Sequence, residues 1–166
     1  MGSFEFIFSQ FNLKTKICMK AYSIAAENYL SIISNYLSPD GKIKPNIIAS
    51  KLSISNAAVT DMMKKLAKEG LIVYTRYKGI ELTVEGKNIA LKIIRRRRIW
   101  EVYLYQILGM PLDKVYDEAG WLSHSSSDYV INRLEDLLNF PNYDPHGYPI
   151  PSKDGRIPKL KTNYTI

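Results

Sequence analysis

The sequence predicts a mainly α-helical protein in two parts, an N-terminal helix-turn-helix with a short β-hairpin and a helical domain that follows it. Three observations predict this: apolar residues recur at helical spacing through most of the chain, a short turn separates two helices, and two β-prone runs come directly after them. The 166 residues suffice for one domain or two small ones, and 46% hydrophobic with 23% charged residues is typical of a folded, soluble chain.

The N-terminal part begins with an extension and a single helix. Residues 1–18 show no periodic pattern and form an extension that is compatible with disorder. From Ala21 to Leu37, apolar residues recur every three or four positions, which predicts the first helix. The turn-forming residues 38–41 end it.

A helix-turn-helix follows. Pro45 opens a short helix that ends at Leu52, and Ser55 is placed as the N-cap of a longer helix over residues 56–69. Gly70 ends this second helix. Its inner face is expected to consist of Val59, Met62, Met63 and Leu66. Two helices joined by a three-residue turn are typical of a helix-turn-helix.

The pattern changes to strands after the second helix. Residues 71–74 and 80–83 are β-prone, and the basic, aromatic residues between them form a hairpin tip. A helix-turn-helix followed at once by such a hairpin predicts a winged helix, and the combination is more specific than either element alone.

The second part is helical. Thr83 is the expected N-cap of a long helix that tolerates Gly86 in its first turn, contains four consecutive arginines at 95–98, and breaks at residues 109–111. Two further helices are predicted over residues 112–124 and from 126 or 127 to 138. Three prolines within residues 144–151 exclude regular structure there.

Charge is distributed unevenly along the chain. The net charge is +7; residues 1–98 hold 17 Lys/Arg against 7 Asp/Glu (+10), and residues 99–166 hold 6 against 9 (−3). A basic first part favours a polyanionic partner, and basic residues on a winged helix favour nucleic acid over a membrane surface. No apolar run approaches the ~20 residues of a membrane span, no signal peptide is evident, and the single Cys18 is typical of the reducing cytoplasm.

The sequence offers no catalytic constellation. Ser123, His124 and Asp128 lie within six residues of one another at a helix end, where the geometry of a catalytic triad cannot close. A Gly-rich phosphate loop is also absent from the sequence. We therefore expect that the protein is not an enzyme.

Six segments together resemble one known family. They are 27–30 (ENYL), 48–52 (IASKL), 59–66 (VTDMMKKL), 70–74 (GLIVY), 78–86 (KGIELTVEG) and 144–151 (DPHGYPIP). From Ala21 to Pro151, the chain resembles the diphtheria toxin repressor family of metal-dependent regulators, which includes the manganese transport regulators. The resemblance implies a cytoplasmic bacterial transcriptional regulator, habitually a repressor, that binds double-stranded operator DNA as a homodimer.

The resemblance also implies a division of the chain. Residues 19–84 would be the winged-helix DNA-binding domain, and residues 85–151 the helical domain that dimerises and binds metal. Residues 152–166 form a polar tail, and the SH3-like domain of longer members is not expected. The candidate dimer core consists of Trp100, Tyr103, Leu104, Ile107, Val130, Leu134 and Leu137. The same apolar stripes could instead be core within one chain.

DNA contacts are expected on the second helix of the helix-turn-helix and on the wing. The start of that helix can reach base edges or phosphates, and small side chains there allow close approach. Basic residues farther along and at the wing tip would contact phosphates; the alternative for each residue is an ordinary solvated side chain. The candidates are Ser55, Asn56, Ala57, Ala58, Thr60, Asp61, Lys64, Lys65, Arg76, Tyr77 and Lys78.

The metal site departs from the family. Family members hold manganese or iron. Most of the positions that supply their metal ligands are occupied here by other residues: Asn28, Arg97, Tyr116, Gly120 and Ser123. Only Glu101 and His124 are retained, too few for the six-coordinate site that these metals prefer, and Arg97 is expected to pair with Glu101.

Three interpretations of this departure stay open. In the first, the metal switch is lost and DNA binding is constitutive or controlled otherwise. In the second, the protein has lost DNA binding as well and acts as an interaction partner. In the third, a rearranged manganese or iron site uses Glu101, Asp117, Glu118, His124 and Glu27.

Overall fold

A computed structural model describes residues 22–75 and 79–159 of the protein. That part of the chain contains six helices and one two-stranded antiparallel sheet, which confirms the predicted mainly α fold. The elements are α1 (Ile24–Asn35), α2 (Pro45–Leu52), α3 (Asn56–Lys68), β1 (Ile72–Thr75), β2 (Gly79–Leu82), α4 (Val84–Gln106), α5 (Leu112–Ser125) and α6 (Asp128–Leu137). The predicted extension over residues 1–18 and the wing residues Arg76, Tyr77 and Lys78 lie outside the described residues.

Hydroxyl caps fix where four of the six described helices begin. The side chain of Ser55 accepts a hydrogen bond from the backbone N–H of Ala58 at the start of α3, and Thr83 does the same for Gly86 at the start of α4. Ser127 caps α6 in the same way. The first helix is shorter than the predicted 21–37, because its N-cap is Ser23.

The winged helix has a single core. Helices α1, α2 and α3 pack with the hairpin around fully buried residues that include Leu30, Ile48, Met63, Leu66 and Ile80. The hairpin pairs Ile72 with Leu82 and Thr75 with Gly79, and Ile43 forms an isolated bridge to Ile80. This packing buries one face of α3 and leaves the opposite face in solvent.

The fold requires a glycine at position 86, whereas the sequence predicted only that the long helix tolerates one there. A Cβ atom at this position would lie 1.9 Å from the carbonyl oxygen of Leu71, because the first turn of α4 rests on the entry to β1. Thr83 holds this contact by donating its hydroxyl to the carbonyl oxygen of Gly70 at 2.8 Å. The docking of α4 on the hairpin therefore depends on a residue without a side chain.

The helical domain has two smaller cores along the second half of α4. Ile99, Val102, Ile131 and Ile150 form one, and Leu104, Val115 and Ala119 form the other. Leu104, a candidate for the dimer core, is only 3% exposed within one chain and so belongs to the internal core, whereas Ile107 and Leu137 are more than half exposed.

In the described ranges, no helix combines the length and the apolar character that crossing a membrane demands.

Candidate functional site

The outer face of α3 carries eight of the residues predicted to contact DNA. Seven of them are exposed and Thr60 is half-buried, with its hydroxyl donating to the carbonyl oxygen of Asn56 at 2.8 Å. Lys64 forms an ion pair with Asp61 at 3.3 Å, one helical turn away. The eight are Ser55, Asn56, Ala57, Ala58, Thr60, Asp61, Lys64 and Lys65.

The four consecutive arginines of α4 point in four directions, because successive residues of a helix are about 100° apart around its axis. Arg95 pairs with Glu135 at 2.6 Å, and Arg96 pairs with Asp128 at 2.8 Å, both on α6. Arg95 and Arg96 therefore serve contacts inside the helical domain. The charge of +10 counted over residues 1–98 includes these four, so that count overstated the basic character of the winged helix itself.

Arg97 and Arg98 line a cavity of about 370 Å³ between α1, α4, α5 and the segment around Asp144. Arg97 donates from Nη1 to the hydroxyl of Tyr116 at 3.1 Å and stacks over its ring, 4.7 Å from the centroid. Its Nε lies 3.6 Å from Oε1 of Glu101, so the predicted pair between these two residues is present. The cavity is the place where α1 of the winged helix meets the helical domain.

Two buried carboxylates sit beside these arginines. Glu101 is 2% exposed, and its Oε2 lies 3.3 Å from Nδ1 of His146. Asp144 accepts through Oδ1 from the backbone N–H groups of His146 and Tyr148, each at 2.9 Å, and its Oδ2 lies 3.4 Å from Nε of Arg98. Each carboxylate is thus matched by a guanidinium.

The two retained ligand positions belong to different clusters. His124 lies at the end of α5 with its Nδ1 2.6 Å from Oε2 of Glu27 and its Nε2 3.2 Å from Oδ1 of Asn28, both on α1. Glu101 instead faces Arg97 and His146. The structure does not bring Glu101 and His124 together into one ligand set.

Within the described residues, a single group of three side chains could hold a metal ion: Glu101, Asp144 and His146, whose ligand atoms lie within 4.8 Å of one another. The rearranged set built on Asp117, Glu118 and the pair Glu27–His124 does not form such a group. Moreover, the guanidiniums of Arg97 and Arg98 already face both carboxylates of the three-residue group. Two fixed positive charges next to the ligands oppose a divalent cation, so the residues present do not fit manganese or iron.

Sequence reasoning missed several residues of this cavity. None of His146, Asp144, Arg98 and Ser31 was predicted to be part of a site. The Pro-His-Gly motif was the available signal, since a polar motif among prolines indicates a fixed loop that can present side chains. The partners across the fold, Glu101 and Arg98, lie more than 40 positions away in the sequence.

Glu101 titrates far from its ordinary range. Burial and, next in size, the negative charge of Asp144 raise its pKa from 4.5 to about 7, although Arg97 and His146 oppose the shift. The protonated carboxyl is therefore favoured in the folded protein relative to the unfolded chain.

The pH dependence of stability should reveal this carboxyl. Folding takes up a proton between pH 4.5 and about 7, so this group makes the protein less stable as the pH rises through that window. We expect Glu101→Gln to remove this loss and to be more stable than the wild type at pH 8, as measured by urea unfolding at pH 5, 6, 7 and 8. Equal pH profiles of variant and wild type would contradict the assignment.

Comparison with known protein families agrees with this architecture. Residues 22–80 match the model described as the iron dependent repressor N-terminal DNA binding domain, and residues 83–152 match the iron dependent repressor metal binding and dimerisation domain. The chain belongs to the iron-dependent repressor family. This confirms the family that the six sequence segments indicated.

Curated relatives in this iron-dependent repressor family are similar over much of the chain. The HTH-type transcriptional regulator MntR of Oceanobacillus iheyensis is 32% identical over 135 residues, covering 81% of this chain and 85% of that protein. The diphtheria toxin repressor of Corynebacterium glutamicum is 34% identical over 104 residues, covering 63% of this chain and 46% of that protein. Both are named for gene regulation and neither for an enzymatic activity.

Solved structures give the same result. A manganese-dependent transcriptional repressor in complex with manganese aligns with a TM-score of 0.73 and 36% identity, over 81% of this chain and 62% of that one. The manganese regulator SloR aligns with a TM-score of 0.72 and 37% identity, over 82% of this chain and 63% of that one. The chain spans about three fifths of the length of these two proteins.

Proposed function

We propose that the protein is a DNA-binding transcriptional repressor of the cytoplasm whose DNA binding does not depend on a divalent metal ion. The observation that carries this proposal is the pairing of Arg97 with Glu101 and of Arg98 with Asp144 in the cavity between the two parts of the chain. Fixed cations satisfy the carboxylates there. Residues 19–84 are proposed as the DNA-binding unit and residues 85–151 as the dimerisation unit.

The outer face of α3 supports recognition of duplex DNA. A helix of 13 residues is about 20 Å long and fits the major groove, and small or polar side chains at its start permit close approach to base edges. Lys64 and Lys65, farther along, are placed for phosphates. The wing candidates Arg76, Tyr77 and Lys78 would add contacts to the backbone of the DNA.

Exposed apolar residues of the helical domain support dimerisation. Ile107 and Leu137 from the predicted dimer core are 53% and 64% exposed, and Trp121 and Tyr129 are more than 70% exposed. Exposed apolar side chains mark an interaction surface where they adjoin, and we propose that these four are buried between two copies of the chain. A homodimer would place two copies of α3 on two half-sites of a roughly palindromic operator.

A metal-responsive repressor is the second candidate, because Glu101, Asp144 and His146 come within ligand distance of one another. In this alternative, Arg97 and Arg98 would have to leave their carboxylates before manganese or iron could bind. Dependence of DNA binding on added metal separates the two candidates. A protein that binds no DNA at all would be an interaction partner instead.

DNA binding can be tested by selection from a pool of randomised duplexes, followed by fluorescence anisotropy on the enriched sequence. We expect enrichment of an inverted repeat, and an affinity that is equal with chelator, with Mn²⁺, and with Fe²⁺ under anaerobic conditions. Replacing Lys64 and Lys65 by alanine should reduce the slope of log K against log [salt] by about 3 to 4, because a dimer would lose four phosphate contacts at ~0.9 each.

The matched control is the double variant Lys114→Ala with Lys153→Ala, which removes the same charge from exposed positions outside the winged helix. Its salt slope should stay close to that of the wild type. Failure to enrich any sequence would refute sequence-specific binding, and affinity that appears only with Mn²⁺ or Fe²⁺ would favour the metal-responsive candidate.

A further inference from the structure

The outer face of α3 carries a single acidic side chain, that of Asp61. Val59, Met63 and Leu66 are fully buried in the core of the winged helix, so the exposed Ala57 and Asp61 lie on the opposite side of α3. The side chain of Asp61 is 78% exposed, and it is the only charged one among residues 56–62. Because the phosphates of DNA repel a carboxylate, its presence on this face calls for an explanation.

Contacts within the protein do not account for Asp61. In the described ranges its side chain has one partner, Lys64, whose Nζ lies 3.3 Å from Oδ1, and an exposed pair of this kind adds little to stability. Asp61 is also the sixth residue of α3, beyond the first turn in which the helix dipole favours a negative charge. The carboxylate is therefore available for a contact outside the protein.

The position of Asp61 along α3 suits a contact with a base. In a helix-turn-helix, the first turns of the second helix reach the base edges of the major groove. Asp61 lies about 8 Å along a helix of about 20 Å, and the small side chains of Ala57 and Ala58 before it permit close approach. The ammonium group of Lys64 has three N–H donors, so it can pair with Asp61 and contact a phosphate at once, which offsets the repulsion.

The chemistry of a carboxylate selects among the bases. An ionised carboxylate accepts hydrogen bonds and donates none, so in the major groove it needs an amino group, either N6 of adenine or N4 of cytosine. The adenine amino group lies between two acceptors, its own N7 and O4 of the paired thymine. The cytosine amino group has an acceptor on one side only, O6 of the paired guanine. A carboxylate is therefore repelled less at cytosine than at adenine.

We propose that Asp61 determines specificity by accepting a hydrogen bond from the N4 amino group of a cytosine in each half-site of the operator. The inference rests on the proposed function and names the base that this position of α3 recognises. Thymine in the same place would turn its O4 toward the carboxylate, one acceptor against another. Asp61 therefore also discriminates against thymine.

The test is parallel selection from randomised duplexes by the wild type and by Asp61→Asn, both with chelator. We expect the wild type to enrich a cytosine in each half-site that the variant does not enrich. Fluorescence anisotropy then compares this operator with one in which thymine replaces that cytosine in both half-sites.

The exchange should weaken binding by the wild type about 25-fold, at about fivefold for each half-site. It should weaken binding by Asp61→Asn less than about threefold, because an amide can accept from cytosine and also donate to O4 of thymine. On a duplex of random sequence, Asp61→Asn should bind about twofold tighter or more, because it lacks the repulsion from the phosphates.

Asp136→Asn is the matched control. Asp136 forms an equivalent exposed pair with Arg133, three residues earlier and 3.4 Å away, on α6 outside the winged helix. This variant should enrich the same cytosine as the wild type and show the same loss on its exchange. Equal sequence preferences of the wild type and Asp61→Asn would overturn this inference and leave the proposed function intact. A wild type that enriches no sequence would reject both.

Discussion

Replacing Gly86 by alanine is expected to destabilise the protein by about 3 kcal/mol or more, a large effect for the addition of one methyl group. The new Cβ would lie 1.9 Å from the backbone oxygen of Leu71, and a backbone atom cannot rotate away as a flexible side chain would. Relief would require the first turn of α4 to lift off the hairpin, which would break the hydrogen bond from Thr83 to Gly70.

Chemical denaturation followed by circular dichroism measures this effect, and Gly120→Ala is its control. Gly120 lies inside α5, and a Cβ there would meet nothing within 4 Å in the described structure. Because alanine is the better helix former, Gly120→Ala should stabilise by about 0.4 to 1 kcal/mol. Similar midpoints for Gly86→Ala and the wild type would show that α4 does not rest on Leu71 in solution.

Arg98→Met should cost about 3 kcal/mol of stability, because it removes one partner of a buried ion pair and leaves the other charged. The carboxylate of Asp144 is 2% exposed and, among the described residues, would keep only its two backbone donors. The variant would also lose the hydrogen bonds to Pro149 and Asn35, so that α1, α4 and the 144–151 segment would lose a shared anchor.

The control for this prediction is Arg156→Met. Arg156 forms a shorter ion pair, 2.7 Å from Asp154, but both side chains are more than half exposed. An exposed pair of this kind contributes about 0 to 1 kcal/mol, so the control should unfold near the wild-type midpoint. If the two variants lose equal stability, burial does not strengthen the pair of Arg98 with Asp144, and the prediction for Arg98→Met is wrong.

The fold could be predicted from the sequence wherever local rules determine it. Ser55 and Thr83 are hydroxyl residues placed directly before amphipathic runs, and each caps a helix as predicted, because capping involves atoms only three residues apart. The helix-turn-helix and the hairpin follow from periodicity in the same way. The predicted range of the first helix was too long at both ends. Apolar residues continue at helical spacing beyond Ser23 and Asn35, whereas the helix begins after its N-cap Ser23 and ends at Asn35.

The candidate site could be predicted only in part, because its contacts are distant in sequence. The i to i+4 spacing of Arg97 and Glu101 fixes their pairing, and it was predicted. No local pattern shows that His146 approaches Glu101, or that the first turn of α4 at Gly86 meets the carbonyl oxygen of Leu71. Such contacts depend on how whole elements pack.

The four arginines of α4 have a consequence for how this chain tolerates length changes. They are the same amino acid, yet they are not interchangeable, since Arg95, Arg96, Arg97 and Arg98 meet Glu135, Asp128, Tyr116 and Pro149 respectively. Inserting or deleting one residue within the run would leave its composition almost unchanged but turn the rest of the helix by about 100°. Point substitutions would break these contacts one at a time, whereas an in-frame codon gain or loss in this stretch would break several at once.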